Sequence, residues 1–185
     1  VFTPASTLAA LKLSGPWLNS PPLDDAALRG RVVVVCFWTY SCINCIRTLP
    51  YLKDWYAKYK DDGLVIIGVH APEFAFEGQP ENVEKAIAKF GITYPVAMDN
   101  DFKTWGNFKN RYWPAHYLID KNGKVVYTHF GEGEYNVTEG NIRYLLGLGD
   151  AKDLMAARQP FWFTCVPSLI TSAAVALLLK RSEER

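Results

Sequence analysis

Residues 32–45 read VVVVCFWTYSCINC, and this stretch predicts the fold. The continuous apolar and β-branched run 32–37 is typical of a strand that is buried on both faces of a sheet and is central in it. Cys42 and Cys45 follow, and they stand at the start of a stretch with helical spacing of apolar residues that continues to about Lys60. The sequence therefore predicts a buried strand that leads into a helix whose first turn carries two cysteines.

The position of these two cysteines predicts their chemistry. Free N–H groups and the positive dipole end of a helix favour an anion, so they lower the pKa of the Cys42 thiol from its ordinary value of about 8.5. Cys45 lies one helical turn further on, within reach of a mixed disulfide formed at Cys42. We therefore expect Cys42 to be the attacking sulfur and Cys45 the resolving sulfur of a dithiol–disulfide exchange.

A CxxC pair is also compatible with half of a zinc site or with an inert structural disulfide. Four-coordinate zinc needs two further Cys or His ligands, and the sequence has no second CxxC pair and no HxxxH pair. Redox chemistry is therefore the favoured interpretation. No metal is expected, and the redox group should be the Cys42–Cys45 disulfide itself, without another cofactor.

Composition limits the remaining choices. A chain of 185 residues with 49% hydrophobic content is long enough for one globular domain with appendages. Twenty basic and nineteen acidic residues leave a net charge of +1, so the chain lacks the basic character expected of a nucleic-acid-binding protein.

The rest of the pattern alternates strands and helices. Strands are predicted at 64–69, 94–98, 115–120 and 124–130, and helices at 81–90 and 141–148. Pro50 lies inside the helix that follows the dithiol and should kink it. Asn122-Gly123 predicts a hairpin between the last two strands. The pattern favours an α/β fold in which a central mixed sheet has helices on both faces.

The chain is divided into a lead-in segment at 1–13, a domain at 14–150 and a C-terminal tail at 151–185. Within the tail, residues 161–179 carry no charge and are followed by Lys180 and Arg181. They are interpreted as a membrane span, a packed tail or an added extension; a span would place the dithiol domain outside the cytoplasm. No export signal follows Val1, so we expect any such signal to have been removed or to lie upstream.

Two segments, 36–45 and 68–74, resemble the thioredoxin fold and, within it, the extracytoplasmic TlpA/ResA-like oxidoreductases. The resemblance covers about 14–149 and is greatest to the soluble domain of DipZ-type cytochrome c biogenesis proteins. It implies a protein disulfide oxidoreductase in the periplasm or on the outer face of the cytoplasmic membrane. It also implies a reductant of protein disulfides, in cytochrome c maturation, that receives electrons from a membrane thiol carrier of the CcdA/DsbD type.

The same resemblance implies a substrate-binding region around the dithiol. Trp113-Pro114 matches the cis-proline of thioredoxins, which lies against the dithiol and presents its neighbour's backbone to an extended substrate. Tyr40, Ile43 and Asn44 are the further residues that we expect to bind substrate. Pro50 matches the helix-kinking proline of the family.

The chain also departs from the family pattern. Thioredoxins keep a buried acid on the strand before the dithiol, where this chain has Cys36, which we interpret as a small buried hydrophobic residue. Glu73 is therefore the candidate for a buried carboxylate that exchanges a proton with Cys45, the alternative being a solvated surface glutamate. His70 and His116 are placed in the same region and are interpreted as structural residues.

Two further functions compete with disulfide exchange. In a thiol peroxidase of the peroxiredoxin type, a threonine precedes the reactive cysteine by three residues, as Thr39 does here, but the expected proline is Val35. In a noncatalytic module of this fold, the Trp113-Pro114 groove would hold peptides. The intact dithiol disfavours the second of these, because a binding module needs no activated thiol.

Overall fold

Strand β2, Val32–Trp38, is the centre of the structure, a computed structural model that describes residues 8–149. All of its side chains are buried. Side chains at alternate positions enter two separate core clusters, one on each face of the sheet. Each buried valine contributes about 1.5–3 kcal/mol to folding. The prediction of a central strand that is buried on both faces is confirmed.

Within residues 8–149, five further strands join β2 in the sheet: β1 (Trp17–Leu18), β3 (Leu64–His70), β4 (Val96–Met98), β5 (Ala115–Ile119) and β6 (Val125–Phe130). The six strands form one mixed sheet in the order β1-β4-β3-β2-β5-β6. Strands β2, β3 and β4 are parallel, whereas β1, β5 and β6 pair antiparallel with their neighbours.

The α-helices of the described residues are α1 (Asp25–Leu28), α2 (Ile43–Tyr59), α3 (Pro80–Phe90), α4 (Lys103–Asn107) and α5 (Tyr135–Leu146). Helices α2, α3 and α5 supply buried side chains to the core cluster on one face. Side chains of α1, α4 and the segment before β1 enter the cluster on the other face. The predicted mixed sheet with helices on both faces is therefore confirmed.

Helix α2 begins at the dithiol and is anchored by its apolar stripe. Cys42 is the N-cap residue, and the buried positions that follow recur every three or four residues: Cys45, Leu49, Leu52, Trp55 and Tyr59. The helix continues through the exposed Pro50 to Tyr59. This stripe packs against the buried strand β2, and the packing fixes where α2 begins. Since Cys42 is the N-cap residue of that helix, its position is fixed as well.

Helices α1 and α4 were not predicted, and helix α5 begins earlier than predicted. Helix α4 is short, contains Gly106, and depends on Asp99, whose carboxylate accepts the backbone N–H groups of Thr104 and Trp105 at 3.0 and 2.8 Å. Helix α5 begins at Tyr135 rather than at residue 141. Its first turns carry few apolar residues, and the helical periodicity of the sequence therefore appears only near its end.

The predicted span at 161–179 and the start of the tail lie outside the described residues, so the domain boundaries stay predictions. Within residues 8–149, no helix has the length and apolar character needed to cross a membrane.

The backbone of Gly15 provides a test of how the segment before β1 packs. A Cβ atom at Gly15 would collide with the carbonyl oxygen of Met98 in β4, whereas a Cβ atom at Gly106 has nothing within 4 Å. We expect Gly15→Ala to lower the free energy of unfolding by about 1–3 kcal/mol. Gly106→Ala, the matched control in α4, should be neutral or stabilise by about 0.5–1 kcal/mol. Urea unfolding measures both, and equal midpoints for the two variants would contradict the close approach.

Candidate active site

The two cysteines of the dithiol differ strongly in exposure. Cys42 is half-buried at the start of α2, and its sulfur accepts the backbone N–H of Cys45 at 3.2 Å. Cys45 is fully buried within the core cluster between α2 and β2. Neither cysteine forms a disulfide. A substrate therefore has access to the sulfur of Cys42 and not to that of Cys45.

The pKa values of the two thiols separate in the direction that dithiol exchange requires. The hydrogen bond from the Cys45 thiol is the largest cause that lowers the pKa of Cys42, and it acts against burial; backbone N–H groups of Cys45 and Asn44 add to it. The pKa of Cys42 is about 7 as a result. Burial, followed by the hydrogen bond with Cys42, raises the pKa of Cys45 well above its ordinary value. At neutral pH Cys42 is partly a thiolate while Cys45 keeps its proton.

Cys36 lies on β2 in the same core cluster as Cys45. It is buried, and burial together with the nearby Cys42 raises the pKa of its thiol far above the ordinary value. Its interpretation as a small buried residue agrees with this environment.

The prediction that Glu73 is a buried carboxylate is wrong. Glu73 is exposed in the loop that leaves β3 and continues into a 3₁₀ turn at Ala75–Gly78. The buried carboxylate is Glu77, which has no exposed surface. The apolar run at 74–78 contains this single acid, which is a sequence signal for a carboxylate with an unusual environment.

Glu77 joins the loop after β3 to the loop before the dithiol. Its carboxylate accepts the Ser41 hydroxyl at 2.5 Å and the backbone N–H groups of Glu73 and Phe74 at 2.6 and 2.9 Å. Burial would raise its pKa, but these bonds and one from the Thr39 side chain outweigh burial, so the pKa lies below its ordinary value. Glu77 is therefore ionised at neutral pH.

His70 lies behind this loop at the end of β3. It is fully buried, its Nε2 is 3.4 Å from the Thr39 hydroxyl, and its ring stacks on Tyr40 with centroids 5.7 Å apart. Burial lowers the pKa of His70 to about 4, so the ring is neutral at neutral pH. Burial, with the neighbouring His129, lowers the pKa of His116 to about 3. Both histidines are neutral core residues in this structure.

The Trp113-Pro114 peptide bond is cis. Pro114 is buried, and the indole N–H of Trp113 donates to the carbonyl oxygen of Ala71 at 3.0 Å. Trp113, Tyr40 and Cys42 are half-buried and pack against the core cluster that contains Cys45. Ile43 and Asn44 are exposed on the first turn of α2. Tyr40, Cys42 and Trp113 thus share one core cluster, while Ile43 and Asn44 follow Cys42 on the exposed surface of the helix.

A CxxC dithiol at the start of α2 and a cis-proline at the start of β5 define the class of thioredoxin-like oxidoreductases. A family model described as the AhpC/TSA family matches residues 10–128, more than half of the chain. The thiol-disulfide oxidoreductase ResA of Bacillus thuringiensis is 34% identical over 68% of this chain and 70% of its own. A thioredoxin-like protein solved in its oxidised form superposes with a TM-score of 0.68 at 25% identity, over 80% of this chain and 97% of that one.

The chain therefore belongs to the AhpC/TSA family and has the thioredoxin fold of its thiol-disulfide oxidoreductase relatives. The protein DipZ of Mycobacterium tuberculosis is 53% identical over 86% of this chain. The matched part is 23% of that protein, so the chain spans about a quarter of the length of this relative.

The pH dependence of thiol reactivity tests the environment of Cys42. Because only the thiolate is alkylated, the rate for Cys42 in the reduced protein should rise through a midpoint near pH 7. Cys45→Ala removes the hydrogen bond that lowers this pKa most, so the midpoint should move to higher pH. Iodoacetamide time courses with peptide mass spectrometry separate Cys42 from the other thiols. Cys36→Ala is the matched control, and an unchanged midpoint in Cys45→Ala would contradict this assignment.

Stability measurements distinguish Glu77 from Glu73. Glu77→Gln turns an amide NH₂ toward backbone N–H donors, so it should lower the free energy of unfolding at pH 7 by about 1–3 kcal/mol. Since the pKa of folded Glu77 is lowered, its stabilisation is present at neutral pH and is lost as the pH falls through the folded pKa. The difference from wild type should shrink in acid. Glu73→Gln is the exposed control, and an equal effect of both variants in urea unfolding would refute the assignment.

Proposed function

We propose that the chain exchanges dithiol for disulfide with proteins outside the cytoplasm and acts as their reductant. The observation that supports this most is the contrast between the accessible Cys42, with a pKa of about 7, and the buried Cys45, which keeps its proton. An attacking sulfur must be ionised and reachable, and a resolving sulfur must be shielded until a mixed disulfide has formed next to it.

In the proposed reaction, the Cys42 thiolate attacks one sulfur of a substrate disulfide. A mixed disulfide forms, and the other substrate sulfur leaves as a thiolate. Cys45 then loses its proton and attacks Cys42, which releases the second substrate thiol and leaves the Cys42–Cys45 disulfide. The substrate has gained two electrons, the proton lost by Cys45 and a second proton from water, and the Cys42–Cys45 disulfide serves as the redox group.

The residues around Cys42 are proposed to hold the substrate. Trp113 and Pro114 would present backbone to an extended segment, while Tyr40, Ile43 and Asn44 border the attacking sulfur. Ile43 is 57% exposed beside Cys42, so it is free to contact a partner. The substrate class that suits this arrangement is a cysteine-containing protein segment in extended conformation.

The source of electrons and the biological setting rest on the similarity to ResA and DipZ. We propose a membrane thiol carrier of the CcdA/DsbD type as the donor, a location outside the cytoplasm, and a role in cytochrome c maturation.

The thiol-peroxidase alternative draws on Thr39, but the hydroxyl of Thr39 lies near the His70 ring and bonds to Glu77. Peroxide consumption that depends on Cys42 would favour that alternative.

Insulin reduction in dithiothreitol tests the proposal. Wild type should accelerate it, Cys42→Ser should abolish the acceleration, and Cys45→Ser should accumulate the mixed disulfide. Cys36→Ala should keep the activity, because Cys36 is buried behind the dithiol.

Titration of the Cys42/Cys45 couple in redox buffers tests the direction of electron flow: a reductant should have a potential near or below about −270 mV, as thioredoxin has. A value near about −120 mV would reverse the direction of electron flow, and equal rates for Cys42→Ser and wild type would refute exchange.

A further inference from the structure

An exposed row of aromatic rings leads away from the dithiol loop. Phe74 and Phe76 stack with their centroids 5.6 Å apart and their planes 3° apart, and each is more than half exposed. Phe76 meets the edge of Tyr40 at 6.2 Å. Tyr40 is two residues before Cys42. We refer to Tyr40, Phe74 and Phe76 as the aromatic row.

Side-chain hydrogen bonds hold the aromatic row in place. The carbonyl oxygen of Phe76 accepts the Tyr40 hydroxyl at 3.2 Å and the Asn82 amide at 3.0 Å. Phe74 donates its backbone N–H to Glu77, the same carboxylate that accepts the hydroxyl of Ser41. The backbone that carries the two phenylalanines is thus bonded directly to Tyr40 and, through the Glu77 carboxylate, to Ser41.

This arrangement differs from that of an ordinary surface phenylalanine. Scattered apolar residues on a surface need no explanation, but neighbouring exposed rings in fixed positions mark contact sites. Rings that are ordered before binding lose little conformational entropy when a partner covers them. Aromatic side chains of this kind are enriched at binding surfaces.

The proposed function identifies the ligand of the aromatic row as a segment of the substrate protein. A protein disulfide that is attacked at Cys42 must bring its backbone to that sulfur, and an extended chain advances about 3.3 Å per residue. Residues two to four positions from the substrate cysteine therefore reach the surface beside Tyr40. Glu73 and Glu77 place negative charge in the same loop, which disfavours an acidic segment.

We propose that the aromatic row is a substrate subsite that binds an aromatic or long aliphatic side chain near the reactive cysteine of a protein disulfide. This inference rests on the proposed function and deepens it, because it names the kind of segment that the oxidoreductase selects. The aromatic row contributes binding affinity for the segment, and the Cys42 thiolate carries out the disulfide exchange.

Two synthetic peptides test the subsite. Each carries one cysteine as a mixed disulfide with thionitrobenzoate; they are identical except for Phe or Ser three residues from that cysteine. Release of the chromophore by the reduced 185-residue chain gives the second-order rate constant. Wild type should prefer the Phe peptide by about 10-fold, and Phe74→Ser/Phe76→Ser should reduce this preference to about 2-fold or less. Both proteins should react equally with the small disulfide of thionitrobenzoate.

Tyr144→Ser, which changes an exposed aromatic residue on α5, is the matched control and should keep the preference. An unchanged alkylation midpoint of Cys42 shows that the double variant keeps its dithiol intact. If the double variant retains the wild-type preference, the subsite is refuted while exchange stands. If wild type reacts with neither peptide nor with the small disulfide, the proposed function is refuted, and so is the subsite that rests on it. A wild-type dimer that the double variant abolishes without changing the preference would assign the row to a second copy instead.

Discussion

The burial of β2 on both faces is the constraint on which the rest of this structure depends. Seven consecutive buried side chains leave the strand no exposed face, so it must lie between two layers of other elements. The chain then leaves the sheet at Thr39 and turns directly into α2. Helix α2 packs back on the same face as Cys36 and Trp38, which buries Cys45 and leaves Cys42 at the helix start.

The difference in exposure between the sulfur atoms of Cys42 and Cys45 therefore results mainly from how α2 packs against β2. Below Cys45 the structure places the Cys36 thiol and the phenol of Tyr94, a fully buried ring whose hydroxyl has no hydrogen-bond partner among the described residues. Burial raises the pKa of both groups, so both are neutral. A second negative charge at Cys45 would lie in a buried, apolar environment, and this favours the protonated form of Cys45 until it attacks.

Elements that carry their own apolar periodicity were predictable from the sequence, and elements held by hydrogen bonds between a side chain and backbone N–H groups were not. The apolar run at 32–37 and the apolar stripe of α2 carry their own periodicity, and the cis peptide before Pro114 followed from resemblance to the family. Helix α4 depends on a cap supplied by Asp99, several residues upstream. The sequence showed an acid near the dithiol, but the choice between Glu73 and Glu77 depends on which carboxylate meets the N–H groups of a 3₁₀ turn, and that is a property of the folded loop.

Parallel pairing explains why the functional groups gather at one edge of the sheet. Trp38 and His70 are register partners at the ends of β2 and β3, so the loops that follow the two strands leave the sheet side by side. One loop carries the dithiol and the other carries the exposed phenylalanines. A buried carboxylate between them is favourable because donors from both loops outweigh the loss of its hydration. Since Glu77 accepts hydrogen bonds from both loops at once, a displacement of either loop would leave a buried charge with too few donors. The reactive sulfur and the adjacent surface are thereby held in one fixed arrangement.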